Sequence, residues 1–155
     1  MKKLIISCVL LILGFQVFSQ KIIYSKSDRE NEFVFKQEGF DIVAYYGVKG
    51  GVLDTVFRYP SASHTNVRII DAYYEDSIFV CIYQFVNFLA FTNHSKTSHG
   101  FVPLFGGFLR TLTVEAARDF SLKIINSTKV EYIENDIKYY FIFDNENKTV
   151  QLIEE

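Results

Sequence analysis

Residues 67–91, VRIIDAYYEDSIFVCIYQFVNFLAF, hold the longest apolar segment downstream of the N-terminus, and their reading decides the fold. Two runs rich in β-branched and aromatic residues meet at Glu75-Asp76, a pair suited to a tight turn although it lacks glycine. Ile78-Phe79-Val80-Cys81-Ile82-Tyr83 is a short continuous apolar run bounded by turn formers, the pattern of a buried strand. Beyond Tyr83 the spacing changes. Gln84 and Asn87 would fall on one stripe of a helix, with Phe85, Val86, Phe88 and Leu89 on the other side. Residues 84–93 therefore read as a short helix, with a continued strand as the alternative.

Upstream, PSASHTN (60–66) reads as a loop. Before it lie three strand-like runs, 33–36, 40–46 and 52–59, separated by Gln37-Glu38-Gly39 and Lys49-Gly50-Gly51. They predict an antiparallel meander, preceded by a short strand at 20–24 and a polar connector at 25–31. Downstream, TNHSKTSHGFVPLFGG (92–107) reads as irregular. Thr113 then offers an N-cap and Glu115 a charge suited to the first turn of a helix over 114–126. Its buried stripe would be Ala116, Ala117, Phe120 and Ile124, with Asp119 and Lys123 paired on the wet side. Runs 129–134, 137–143 and 148–153, the first two joined by Asn135-Asp136, predict a closing meander with one wet face.

The expected fold is therefore α+β: antiparallel β-meanders, as a sandwich or partial barrel, with one amphipathic helix inserted before the last three strands. Ile42-Val43-Ala44-Tyr45-Tyr46 resembles Ile70-Asp71-Ala72-Tyr73-Tyr74 about 28 residues on, too short a likeness to establish a repeat.

Residues 1–19 read as a signal peptide. Met1-Lys2-Lys3 is basic, residues 4–15 are apolar, and Val17 and Ser19 suit cleavage before Gln20. About 15 apolar residues are too few for a span, which needs roughly 20. The rest, 20–155, is expected to form a single β-rich domain that is exported to a periplasm, cell surface or medium and is bacterial in character, with no membrane span after cleavage. Hydrophobic content of 49% against 22% charged argues against disorder, and 17% aromatic residues without tryptophan leans towards sheet. Losing Lys2 and Lys3 but no acid moves the formal net charge from −2 to −4, and no basic patch points to nucleic acid. Cys81 is then the one remaining thiol, so no internal disulfide forms, and a packed core must hold the chain.

No catalytic signature is present. Gly50-Gly51 and Gly106-Gly107 are simple pairs rather than a phosphate loop, and no nucleophile elbow surrounds Ser95 or Ser98. Cys81 lacks the electropositive, exposed setting of a reactive thiol. Asp71, Glu75 and Asp76 cluster around one turn, where a pair facing across a cleft would be required for glycoside chemistry. His94 and His99 are five apart, a spacing unlike helical zinc pairs, so neither a metal nor a cofactor is called for.

The segment GFVPLFGGFL (100–109) carries more information. Phe101, Phe105 and Phe108 crowd a stretch broken by Pro103 and two glycines, and such a stretch either covers the core or exposes an apolar patch. These three residues, with His94 and His99 beside them, are the expected contact site for a protein or apolar ligand. The function expected is an exported, non-enzymatic binding or interaction domain. The alternatives are an exported hydrolase or metal-dependent enzyme using His64, His94 and His99, and a structural subunit of an envelope assembly.

Overall fold

The computed structural model describes residues 20–60, 67–113 and 120–155, and these form twelve strands with no helix among them. The strands are β1 (Gln20–Ser27), β2 (Asn31–Glu38), β3 (Asp41–Val48), β4 (Asp54–Pro60), β5 (Val67–Glu75), β6 (Ile78–Phe85), β7 (Phe88–Thr97), β8 (Gly100–Thr111), β9 (Phe120–Asn126), β10 (Lys129–Glu134), β11 (Ile137–Asp144) and β12 (Thr149–Glu154). They make three four-stranded antiparallel sheets, each a meander in chain order: β1–β4, β5–β8 and β9–β12. The chain divides into two compact units between residues 63 and 64.

The α+β expectation is overturned: the fold is all-β and the inserted helix is absent from the described residues. Of the helix expected over 114–126, residues 120–126 are strand β9, paired with β10 with one slip at Ile125, while 114–119 lie outside the described residues. The misreading has a definite origin. Phe120 and Ile124 satisfy a helical i, i+4 spacing, but with Leu122 between them they also alternate at period 2, and the latter period prevails once β10 supplies a partner. Residues 84–93 are likewise not a helix. Strand β6 runs to Phe85, Val86-Asn87 turns the chain with Val86 at φ 54°, and β7 returns from Phe88. The Gln84 side-chain amide donates to the Val86 carbonyl at 3.0 Å, a local bond that substitutes for the glycine missing from this turn.

The turn expected at Glu75-Asp76 falls one residue later, since Glu75 still pairs with Ile78 as the last residue of β5. Asp76-Ser77 and the expected Asn135-Asp136 hold positive φ at both positions (50° and 65°, 52° and 61°), the geometry that matches the twist of a two-residue hairpin. The likeness between residues 42–46 and 70–74 falls on β3 and β5, which occupy different places in their meanders, so it is no structural repeat.

In the first unit the central strands β2 and β3 are buried on both faces. Phe33, Phe35, Ala44 and Tyr46 occupy one face, and Val34 and Val43 the other. Tyr24, Phe35 and Phe57 stack edge to face across β1, β2 and β4 at 5.5 and 6.2 Å. In the second unit, one face of β5–β8 packs on one face of β9–β12. Val80, Ile82, Leu89 and Phe91 meet Ile124, Val130, Tyr132, Phe141 and Phe143, all buried. Phe91 stacks on Phe143 at 4.6 Å, and each fully buried side chain of this kind contributes about 2–3 kcal/mol.

Polar contacts pin this sandwich on three sides. At one end the Asn93 amide donates to Asn145 Oδ1 at 2.9 Å. At the other, Arg110 of β8 ion-pairs with Glu134 of β10. Along the side, β9 and the turn after it present backbone N–H groups to carboxylates of β5: Asp71 accepts from Ile124 at 3.3 Å and Glu75 from Ser127 at 3.4 Å. Two of the acids on or beside the β5–β6 hairpin, Asp71 and Glu75, thus bridge sheets.

Candidate functional site

The expected contact segment is not an irregular loop. It is β8, a twelve-residue edge strand paired along its length with β7. Its pairing slips twice, at Leu89/Ala90 and at Asn93/His94, so Leu104 and Leu109 are extra residues bulged out of register. A bulge moves following side chains to the opposite face. Pro103 is accommodated because an edge strand has one side without ladder bonds.

Register then sorts the expected residues. Phe101 stands opposite Lys96, and Phe108 opposite Ala90, on the face that also carries His94. Phe105 stands opposite Asn93 on the other face, at 4.9 Å from Phe91 and 6.3 Å from Phe143, and belongs to the core of the second unit. Phe101 is half-buried, edge-on to Phe79 and Tyr74 at 6.1 Å each, with the Lys96 ammonium 5.5 Å from its ring centre. Phe108 is 73% exposed and leans on Phe88 at 5.4 Å. Val102 and Pro103 are also exposed, so the apolar surface of this strand is its outer edge rather than the whole segment.

The histidines separate as well. His94 is buried in β7, edge-on to Phe79 at 6.5 Å, with Nε2 2.9 Å from the Thr92 hydroxyl. Burial pulls its pKa down to about 4, so the ring is neutral near pH 7. His99 is exposed in the β7–β8 turn, where its N–H donates to the Thr97 hydroxyl at 3.2 Å. His64 lies outside the described residues. Among the described residues, no three His, Cys, Asp or Glu side chains converge to hold a metal ion. Cys81 is fully buried, and burial first, then the nearby Asp71 charge, pushes its thiol up, away from thiolate chemistry.

Two polar clusters escaped the sequence reading. In the first unit, Arg58 bridges Glu38 and Asp41 at 2.8 Å each, and the Tyr45 hydroxyl donates to Glu38. That hydroxyl, more than the guanidinium, holds Glu38 below the usual carboxylate range. The second is Arg110, whose guanidinium carbon lies 5.4 and 5.2 Å from the ring centres of Tyr132 and Tyr139 while it pairs with Glu134. Burial, then the adjacent Glu134 charge, pushes the Tyr132 hydroxyl up to about 12. Strand register reveals the first cluster and only the packing of one sheet on the other reveals the second, since β8 and β10 belong to different sheets.

The geometry thus defines an all-β protein built from four-stranded antiparallel meanders, with an apolar, bulged edge strand on its second sheet. Comparison with protein-family models, with curated proteins and with solved structures returns no match for this chain.

Proposed function

We propose that this protein is an exported, non-enzymatic interaction domain that engages its partner through the outer edge of β8. One observation carries the reading: Val102, at 45%, and Phe108, at 73%, stand exposed on the same strand, beside a half-buried Phe101. Solvent-exposed rings near an edge lower the free energy when a partner covers them. The N-terminal pattern of two lysines followed by an apolar run supports export to a bacterial periplasm or cell surface, and a mature chain with one buried thiol needs no oxidative folding there.

Export predicts that the protein recovered from its host begins at Gln20, read by mass spectrometry of the N-terminus. A chain retaining Met1 would count against it. Contact through β8 is tested with a photoreactive phenylalanine analogue at position 108 and, as a control, at the exposed Ile137 of β11. Adducts are expected from 108 and not from 137. Equal yields from both, or none from 108, would remove the contact surface. Phe108→Ser should leave stability within about 0.5 kcal/mol of the parent, since so exposed a side chain contributes little to the fold.

A further inference from the structure

An open sheet edge offers unpaired N–H and C=O groups to any other strand, and soluble proteins blunt such edges with bulges, proline or charge. Among the described residues this chain does so at five of its six edges. The pairings of β1, β4, β5, β8 and β9 with their neighbours each carry a register slip. The sixth, β12, pairs with β11 through six consecutive residues with no slip. Its sequence, TVQLIE, has no proline, glycine or lysine, and every residue but Val150 is exposed. Leu152 and Ile153 are each 48% exposed.

We propose that β12 pairs antiparallel with β12 of a second copy of this chain, joining two four-stranded sheets into one of eight strands about a two-fold axis. The backbone sets which groups are available. Glu155 donates its N–H to the Lys138 carbonyl at 3.0 Å, so odd-numbered residues of β12 face β11. The N–H and C=O groups of Val150, Leu152 and Glu154 therefore point out from the open edge.

A two-fold axis normal to the sheet must pair residues of equal parity, so that each face continues across the junction. Centring it on Gln151 places Val150 opposite Leu152 of the second copy, with outward backbone groups on both. It also sets Gln151 against its own copy and Ile153 against Thr149, and brings Lys148, in the turn that leads into β12, near Glu154 of the second copy. Apolar side chains then meet on one face and opposite charges meet at both ends. Lys148 and Glu154 are exposed and are bridged to nothing else among the described ion pairs. This surface is distinct from β8, so the two can stand or fall separately.

The test is sedimentation equilibrium of the purified protein with four variants. An interface this small predicts a weak, concentration-dependent dimer, dissociating at roughly 10–500 µM. Lys148→Glu and Glu154→Lys should each weaken it at least about fivefold, because each creates two like-charged contacts per dimer. The double variant should restore the parental constant, which distinguishes lost pairing from lost folding. Leu152→Pro removes an outward-facing donor without touching the β11 ladder and should leave a monomer with an unchanged far-ultraviolet spectrum. A monomer at all concentrations up to about 1 mM, a dimer indifferent to both charge reversals, or failure of the double variant to recover would overturn the proposal.

Discussion

Replacing Arg110 by methionine is expected to destabilise the protein by about 3 kcal/mol, measured as a lowered denaturant midpoint at unchanged slope. The reason is the company Glu134 keeps. Its side chain is only 7% exposed, and Arg110 is the cation that pairs with it. Methionine fills most of the arginine stem's volume but leaves a carboxylate in a poorly solvated place without a counter-charge. The loss falls at the low end for a broken buried pair because the Arg110 side chain is itself 30% exposed and water screens part of the interaction.

Two further variants separate the contributions. Arg110→Lys keeps the charge but loses the planar group lying over the Tyr132–Tyr139 pair, and should cost about 1 kcal/mol. Adding Glu134→Gln to Arg110→Met removes the stranded charge and should recover part of the loss. If Arg110→Met proved neutral, the ion pair would be a surface contact and the clasp between β8 and β10 would have no energetic role.

Acid should weaken the fold before the carboxylates titrate. His94 has a folded pKa of about 4 against 6.5 for the free side chain. Between those values the unfolded chain binds a proton that the folded chain refuses, so stability rises with pH across this window. The contribution is fully present above pH 6.5 and is lost as pH falls towards 4. The gap corresponds to roughly 3 kcal/mol in total.

Carboxylates held below their usual range, among them Glu38 and Asp144, add their own losses only at lower pH, below their unfolded values. Urea unfolding at pH 7.5, 6, 5 and 4.5 should therefore show a decline that His94→Gln largely abolishes. Glutamine can keep a polar atom near Thr92 but does not titrate. An equal decline in parent and variant would show that another group is responsible.

The sequence was informative wherever one strand could be read by itself. The run 78–83 is consecutive, β-branched and aromatic, and it forms the first six residues of β6, buried from Phe79 to Ile82. Gly39 and Gly50 mark turns at φ 61° and 76°, a backbone region that other residues enter only at a cost. Alternation and turn residues alone mark the strands of the first meander and the last three strands of the third, but not β9, which read as a helix.

It was less informative at Val86-Asn87, where a β-branched residue occupies the first turn position at φ 54° and Asn87 is the one turn former, so a hairpin resembled one amphipathic segment. Phe120 and Ile124 fit both periods, and only pairing with β10 selects the strand. Local preference is worth tenths of a kcal/mol per residue, whereas a paired and buried strand gains several kcal/mol from packing.

The contact segment shows the same division more sharply. That residues 100–109 hold an unusual concentration of aromatic side chains is plain from the chain alone. In an unbroken strand Phe101 and Phe105 would share a face. The bulge at Leu104 sends Phe105 into the core, leaves Phe101 half-covered on the far side, and brings Phe108 to the surface. Composition determined that this segment would be apolar and that the protein would be rich in sheet. Which ring meets water was decided by one extra residue in one strand, because pairing with β7, a contact between whole strands, sets where the register slips.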